Sequence, residues 1–206
     1  MAIIDEYKII LNNIDKNNKP NLFLHSCCAP CSTEVLNKLK DFFNIYIIFY
    51  NPNIDTIDEY NLRLDQFDKI KSHIGFDNIK IIYTNYNHNE FIEKIKGLEN
   101  EKEGGKRCTE CFKLRLNFTY EFALKYIKEN NMENDINYIT TTLTISPHKD
   151  AIKINNILKD IIKDKSINYL PSDFKKENGY LNSINYSKEY NLYRQHYCGC
   201  EFSKTT

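Results

Sequence analysis

Residues 21–53 read NLFLHSCCAPCSTEVLNKLKDFFNIYIIFYNPN, and this stretch decides the fold. Two short apolar runs, Asn21 to Ser26 and Ile45 to Tyr50, are bounded by Pro and Asn, as strands buried on both faces are. Between them, Ser32 to Asp41 carries Val35, Leu36 and Leu39 on one side of a helix. Working outward, Ile79 to Tyr83 and Asn137 to Thr142 read as further strands, and Ile57 to Ile74, Glu90 to Lys96 and Arg107 to Glu129 as helices. The last of these helices packs on the core through Phe112, Leu116, Thr119, Ala123 and Ile127. Strands alternating with helices predict the α/β class: a three-layer, Rossmann-like (HUP/PP-loop-like) fold with a mostly parallel sheet and helices on both faces. The C-terminal stretch, with Pro171 and Gly179, is expected to form a helical segment that ends in Tyr-Cys-Gly-Cys and closes a metal site.

In such folds ligands sit beyond the carboxyl ends of the strands. Three unusual loops fall there: Cys27-Cys28-Ala-Pro-Cys31, Asn51-Pro52-Asn53, and Ser146-Pro147-His148-Lys149-Asp150. All seven cysteines lie in three tight groups, Cys27/Cys28/Cys31, Cys108/Cys111 and Cys198/Cys200. Groups separated by roughly 80–90 residues imply one thiolate-rich site assembled by folding.

The 206 residues, 41% of them hydrophobic, suit a single domain spanning residues 1–206. Lys+Arg and Asp+Glu are both 28, so no global field draws the protein to nucleic acid, and any RNA contact is local. An odd cysteine count and a charged N-terminus argue against a disulfide framework and a secretory signal. The longest apolar run, six residues, is far short of the ~20 that span a bilayer. The expectation is a cytoplasmic protein with reduced thiols and no membrane partner. Only Arg63, Arg107, Arg115 and Arg194 are arginine, and the last three lie close to a cysteine. Arg107, Arg115 and Arg194 are therefore candidates for binding an anionic substrate such as RNA phosphate, against the alternative of simple pairing with nearby Glu or helix ends.

The two-residue spacing of Cys108 and Cys111 recurs in zinc, iron–sulfur and dithiol sites, and their place at a helix N-terminus favours thiolate. Cys27 and Cys28 are adjacent, which suits a cubane better than one small ion. With Cys108 and Cys111 they would supply the four thiolates of a [4Fe–4S] centre. Cys198 and Cys200 have two readings. They cycle between dithiol and strained disulfide, or they join Cys31 on a second, mononuclear iron or zinc ion with a carboxylate such as Asp150 or Asp173. His25, His148, His196, Tyr197 and Asp150 are candidate acids or ligands, although a single histidine is more often an ordinary hydrogen-bonded residue. Tyr193 and Tyr197, beside Arg194, suit stacking on a base.

The motifs LHSCCAPCS, YNPNI followed by EYNLR, GGKRCTECFKLRL, TTLTISPHKD, DFKKENGY and YRQHYCGCEFS occur in this order from about residue 22 to 203. Together they resemble the QueH-type epoxyqueuosine reductases. The resemblance implies an iron–sulfur oxidoreductase that removes the epoxide oxygen of epoxyqueuosine at the wobble position of tRNAs with GUN anticodons, those for Asp, Asn, His and Tyr, giving queuosine. It implies cluster ligation by Cys27, Cys28, Cys108 and Cys111, a redox-active or metal-binding role for Cys198 and Cys200, and Cys31 as a ligand of an extra metal ion. Deoxygenation needs two electrons and an acid or Lewis acid at oxygen, for which His148 and Asp150 are candidates. No nicotinamide or flavin fingerprint is present, so an external donor such as ferredoxin or flavodoxin is expected. Two rivals are a structural zinc protein that binds RNA and an ATP-dependent tRNA-thiolating enzyme. The second needs a Gly-rich phosphate loop after the first strand, where this chain has His-Ser-Cys-Cys-Ala-Pro-Cys.

Overall fold

The computed structural model describes residues 2–204. Five strands, β1 (Asn21–His25), β2 (Asn44–Phe49), β3 (Ile79–Tyr83), β4 (Asn137–Thr141) and β5 (Asn168–Tyr169), form one sheet of order β3-β2-β1-β4-β5. Every pairing is parallel. Leu22 lies opposite Ile45 on one side and Tyr138 on the other.

Side-chain alternation assigns the two faces. Leu22, Leu24, Ile45, Ile47 and Phe49 pack with helices α1 (Ile3–Asn12), α2 (Ala29–Leu39), α3 (Ile57–Ile74) and α7 (Gly179–Glu189). Phe23, Ile48 and Ile139 pack with α5 (Lys106–Glu129) and α6 (Ala151–Ile161). A short helix, α4 (His88–Lys94), buries Phe91 and packs on α5 near Cys111. The arrangement is the three-layer α/β fold expected, and the stripe Phe112, Leu116, Thr119, Ala123 and Ile127 is buried throughout. No helix among the described residues is long and apolar enough to cross a membrane.

Local chemistry sets the helix starts. Thr56 caps α3 by accepting from the Glu59 N–H at 3.2 Å, with acidic residues in the first turn as the dipole favours. The Cys28 sulfur does the same for α2, accepting from the Cys31 N–H at 3.3 Å, and Pro30 sits in the first turn where its missing N–H costs nothing. Four elements are not in the sequence expectation: α1, α6, β5 and the full extent of α7. The C-terminal closure also differs from expectation. Helix α7 packs on α2, but the chain after Glu189 is irregular up to a single 3-10 turn, Glu201–Ser203. Cys198 and Cys200 are thus carried by extended backbone, whose path is set by side-chain bonds to α3.

The strand order reverses at the β1/β4 boundary, and a crevice opens there beyond the carboxyl ends of both strands. Cys27 follows β1 at this point and Thr142 follows β4.

Candidate metal centre and substrate cleft

Beneath the crevice lies His25, fully buried at the end of β1. Its Nε2 reaches the Tyr50 carbonyl at 3.3 Å, which can only accept, so Nε2 carries the proton and Nδ1 accepts from Thr141 Oγ1 at 2.8 Å. Burial, reinforced by Arg115, pushes the imidazole down to about 3 and keeps it neutral. His25 is therefore a support of the β1 and β4 ends rather than an acid in the cleft. Directly above it the Cys27 N–H donates to Thr142 Oγ1 at 3.1 Å, and Thr142 Oγ1 lies 3.4 Å from the Cys27 sulfur.

The sulfurs of Cys27, Cys28 and Cys31 lie within 4.8 Å of one another. Cys27 is held well below the usual thiol range by hydrogen bonds from Cys28 and Cys31, with Lys149 and Arg115 assisting against burial. The same hydrogen bonds, with burial added, drive Cys31 well above that range. Burial pushes Cys28 up to about 12.

The other four cysteines, Cys108, Cys111, Cys198 and Cys200, line one cavity of about 200 Å³ together with His148 and Lys149. Burial raises Cys108, pushes Cys111 up to about 12 and Cys200 up to about 11. The thiolate expected from the helix N-terminus is therefore not favoured at Cys108 or Cys111: desolvation outweighs the dipole and the Gly104 N–H that meets Cys108 Sγ at 3.2 Å. All seven cysteines are free, so the disulfide considered for Cys198 and Cys200 is not formed. A ring closed over one intervening residue is strained, and each sulfur instead lines the cavity.

Three cationic or polar groups tie the two sets of thiols together. Arg115, 1% exposed, acts on Cys111 and Cys27 at once, and its Nη2 hydrogen-bonds Asn51 Oδ1. It takes part in no ion pair among the described residues. Lys149 stays protonated although burial opposes it, because Cys198, Cys27 and Cys31 surround it. Asn51 Nδ2 in turn holds the Ser26 carbonyl at 2.9 Å. A buried cation without a carboxylate is costly unless something anionic compensates it. The thiols could do so once deprotonated, and a bound metal drives that deprotonation. The donor set therefore fits a thiolate-ligated centre.

A second cleft of about 340 Å³ opens beside the thiols, lined by Cys27, Cys31 and Cys198 and by Arg63, Arg194 and Gln195. Arg63 is missing from the sequence expectation because no cysteine is near it in the chain. Folding brings it to the C-terminal segment: its Nε donates to Glu59 Oε1 at 2.7 Å, its Nη1 to the Cys198 carbonyl at 3.2 Å, and its guanidinium stacks 5.2 Å from the Tyr197 ring centre. Tyr193 donates to the same Glu59 at 3.1 Å, and its backbone N–H to Gln66 Oε1 at 2.9 Å. Lys149 is likewise outside the sequence expectation, although it sits in the Ser-Pro-His-Lys-Asp loop, where a cation beside expected thiolates is a usable signal.

The remaining expected residues divide sharply. His148 is exposed and lines both cavities, and Arg194, Tyr197 and exposed His196 line the cleft. Asp150 is at the cavity wall but is engaged as the cap of α6, accepting the Lys153 N–H at 3.0 Å. Asp173 is not with the thiols: it pairs with Lys175 at 2.7 Å and lines a groove beside α1. Arg107 is 3% exposed and donates to the carbonyls of Glu99 at 2.6 Å, Glu101, and Phe202 at 3.4 Å. Its guanidinium ties loop to C-terminus and is not presented to an RNA phosphate, nor is that of Arg115. Tyr193 is bound to Glu59 rather than free to stack.

A family model described as epoxyqueuosine reductase QueH matches residues 22–206. Three relatives named Epoxyqueuosine reductase QueH align over most of their length. That of Streptococcus pyogenes serotype M1 is 39% identical over 188 residues, covering 90% of this chain and 71% of the relative. That of Staphylococcus epidermidis is 40% identical over 201 residues, covering 95% and 81%. That of Thermotoga maritima is 32% identical over 185 residues, covering 88% and 89%.

Proposed function

The chain belongs to the epoxyqueuosine reductase QueH family, and on that footing we propose that it reduces the epoxide of epoxyqueuosine in tRNA to give queuosine. The observation that carries the reading is the gathering of the three cysteine groups with two cations, buried Arg115 and half-buried Lys149, at the β1/β4 switch point. Cys27, Cys28, Cys108 and Cys111 would hold a [4Fe–4S] centre, and Cys31, Cys198 and Cys200 would serve a second iron or zinc ion. When bound, such a centre supplies electrons singly. The chain's own groups do the rest. Arg115 and Lys149 balance the thiolate charge without a competing carboxylate. The crevice admits one flipped-out nucleotide at the wobble position of GUN-anticodon tRNAs, whose base must leave its stack to be reached. His148, exposed where both cavities meet, is the acid best placed to protonate the departing epoxide oxygen, with Asp150 held back by its capping bond. Arg194 meets the RNA backbone.

Electrons come from an external donor, a ferredoxin or flavodoxin, and the tRNA substrate makes the protein cytoplasmic. ATP-driven thiolation is not favoured, because cysteines occupy the loop after β1 where a Gly-rich phosphate cradle is needed. The test is anaerobic incubation of the reduced protein with epoxyqueuosine-containing tRNA, followed by mass analysis of the wobble nucleoside. Queuosine, lighter by one oxygen, is the expected product; unchanged epoxide with iron-loaded protein overturns the reading.

A further inference from the structure

Six buried side-chain nitrogen or oxygen atoms among the described residues have no hydrogen-bond partner. Three of them, Arg63 Nη2, Arg115 Nε and Gln195 Oε1, belong to side chains that line the thiol cleft. Each such atom costs stability if it stays unpaired, and folded proteins leave few. Their concentration at one cleft marks polar atoms kept for something that enters it.

Arg115 already has its partner class in the thiols of Cys27 and Cys111. Arg63 and Gln195 are different. Arg63 is 2% exposed, and two of its three nitrogens are engaged, Nε by Glu59 and Nη1 by the Cys198 carbonyl. Nη2 alone is left. Gln195 lines the same cleft, and its Oε1 is buried without a partner. An amide oxygen only accepts, so this atom calls for a donor. The Arg63 charge also acts on Cys28. One spare N–H donor and one spare carbonyl acceptor therefore belong to side chains of the cleft that Cys27, Cys31 and Cys198 also line.

A ligand that satisfies both atoms must carry an acceptor and a donor close to the position where reduction occurs. Given the activity proposed above, on which this inference rests, the purine-like base and the phosphates are the wrong parts of the substrate: they stand away from the reacting carbon. The five-membered ring that bears the epoxide also bears hydroxyl groups, and a hydroxyl accepts and donates at once. We propose that Arg63 and Gln195 form the subsite for this hydroxylated ring, Arg63 Nη2 donating to and Gln195 Oε1 accepting from its hydroxyls, and that the pair sets the preference for ring-bearing over ring-less bases. Sites built to hydrogen-bond a hydroxyl reject analogues that lack it, because the buried partners are then stranded.

The test measures equilibrium binding of two anticodon stem-loops to the metal-loaded protein. One carries queuosine, the product, which keeps the ring hydroxyls. The other carries the aminomethyl-deazaguanine base without the ring. Wild-type protein is expected to bind the first at least about tenfold more tightly. Gln195→Leu is expected to shrink that ratio toward one with affinity for the ring-less RNA unchanged, and Arg63→Lys to shrink it while also weakening the ring-less RNA to a lesser degree, because Arg63 holds the Cys198 carbonyl. A ratio that persists in both variants, or equal weakening of both RNAs, overturns the subsite. The wild-type ratio needs no variant, so a substitution that misfolds does not shield the proposal. Wild-type protein that reduces epoxyqueuosine yet binds both RNAs equally overturns the subsite alone, whereas protein that leaves the epoxide intact overturns the activity beneath it.

Discussion

The guanidinium of Arg63 donates to the carbonyl of Cys198 at 3.2 Å, joining α3 to the C-terminal cysteines across 135 positions of sequence. Around this bond the irregular tail is fixed by Tyr197, which donates to Asp55 at 3.0 Å, and by the Asp55 N–H, which donates to the Gly199 carbonyl at 3.0 Å. A segment with no helix or strand of its own is thereby held against the sheet edge where the other thiols lie.

Gly199 is the tightest point of that contact. Its φ is +107°, and a Cβ there would lie 2.9 Å from Arg63 Nη1 and 3.0 Å from Ile54 Cγ1. Gly199→Ala adds both a forbidden conformation and a clash, so it should cost roughly 1–3 kcal/mol. Urea unfolding at matched metal content measures the loss, and a variant as stable as wild type with full turnover would refute the arrangement.

Metal retention separates the thiols from their cations. Cys108→Ala is expected to lose the iron centre and the ~400 nm absorbance typical of such clusters. Arg115→Met should keep the ligands but hold metal about 10–100-fold more weakly in chelator competition, because the buried charge that offsets the thiolates is gone. In metal-free protein the same substitution should be neutral or stabilising. An Arg115→Met variant destabilised when metal-free and unaltered in chelator competition would count against charge compensation.

Arg194 and Arg107 should behave as opposites in RNA binding. Arg194→Ala removes a cleft cation, and the slope of log affinity against log salt should fall by about 1. Arg107→Ala strands the carbonyls of Glu99, Glu101 and Phe202 and should lower stability by roughly 1–3 kcal/mol with the salt slope unchanged. Salt titration of tRNA binding, paired with thermal unfolding, checks both.

Asp55 sets an acid limit on the tail. Burial works to raise its carboxyl, but hydrogen bonds from Lys204 and Tyr197 win and hold it below the usual carboxylate range. The unfolded chain therefore takes up this proton first, and the stabilisation is present above the ordinary carboxylate pKa and lost as pH falls through the folded value. Wild-type stability should drop more steeply than that of Asp55→Asn below about pH 4. Parallel acid titrations followed by tyrosine fluorescence would show it; coincident curves would refute the linkage.

Much of this molecule was legible in local patterns. The runs Asn21 to Ser26 and Ile45 to Tyr50 needed no partner to declare themselves, since burial on both faces demands unbroken apolar residues and the flanking Pro and Asn mark the ends. Clustered cysteines after β1 likewise announced the edge at which a centre would be built, because parallel strands deliver their loops to one side. The two-residue β5 is too short to carry a pattern and α1 has scattered charges, whereas α6 buries Ala151, Ile154, Ile157 and Leu158 at helical spacing, a period open to a local reading. What lay outside any local reading was which distant atoms would meet, and in what electrical state. Nothing near Arg63 in the chain announces Cys198, and nothing in Arg107 announces that three carbonyls will occupy it. The electrical state of Cys108 and Cys111 is of the same kind: a helix dipole is a property of the segment, whereas desolvation, which raises both thiols, is a property of everything packed around it.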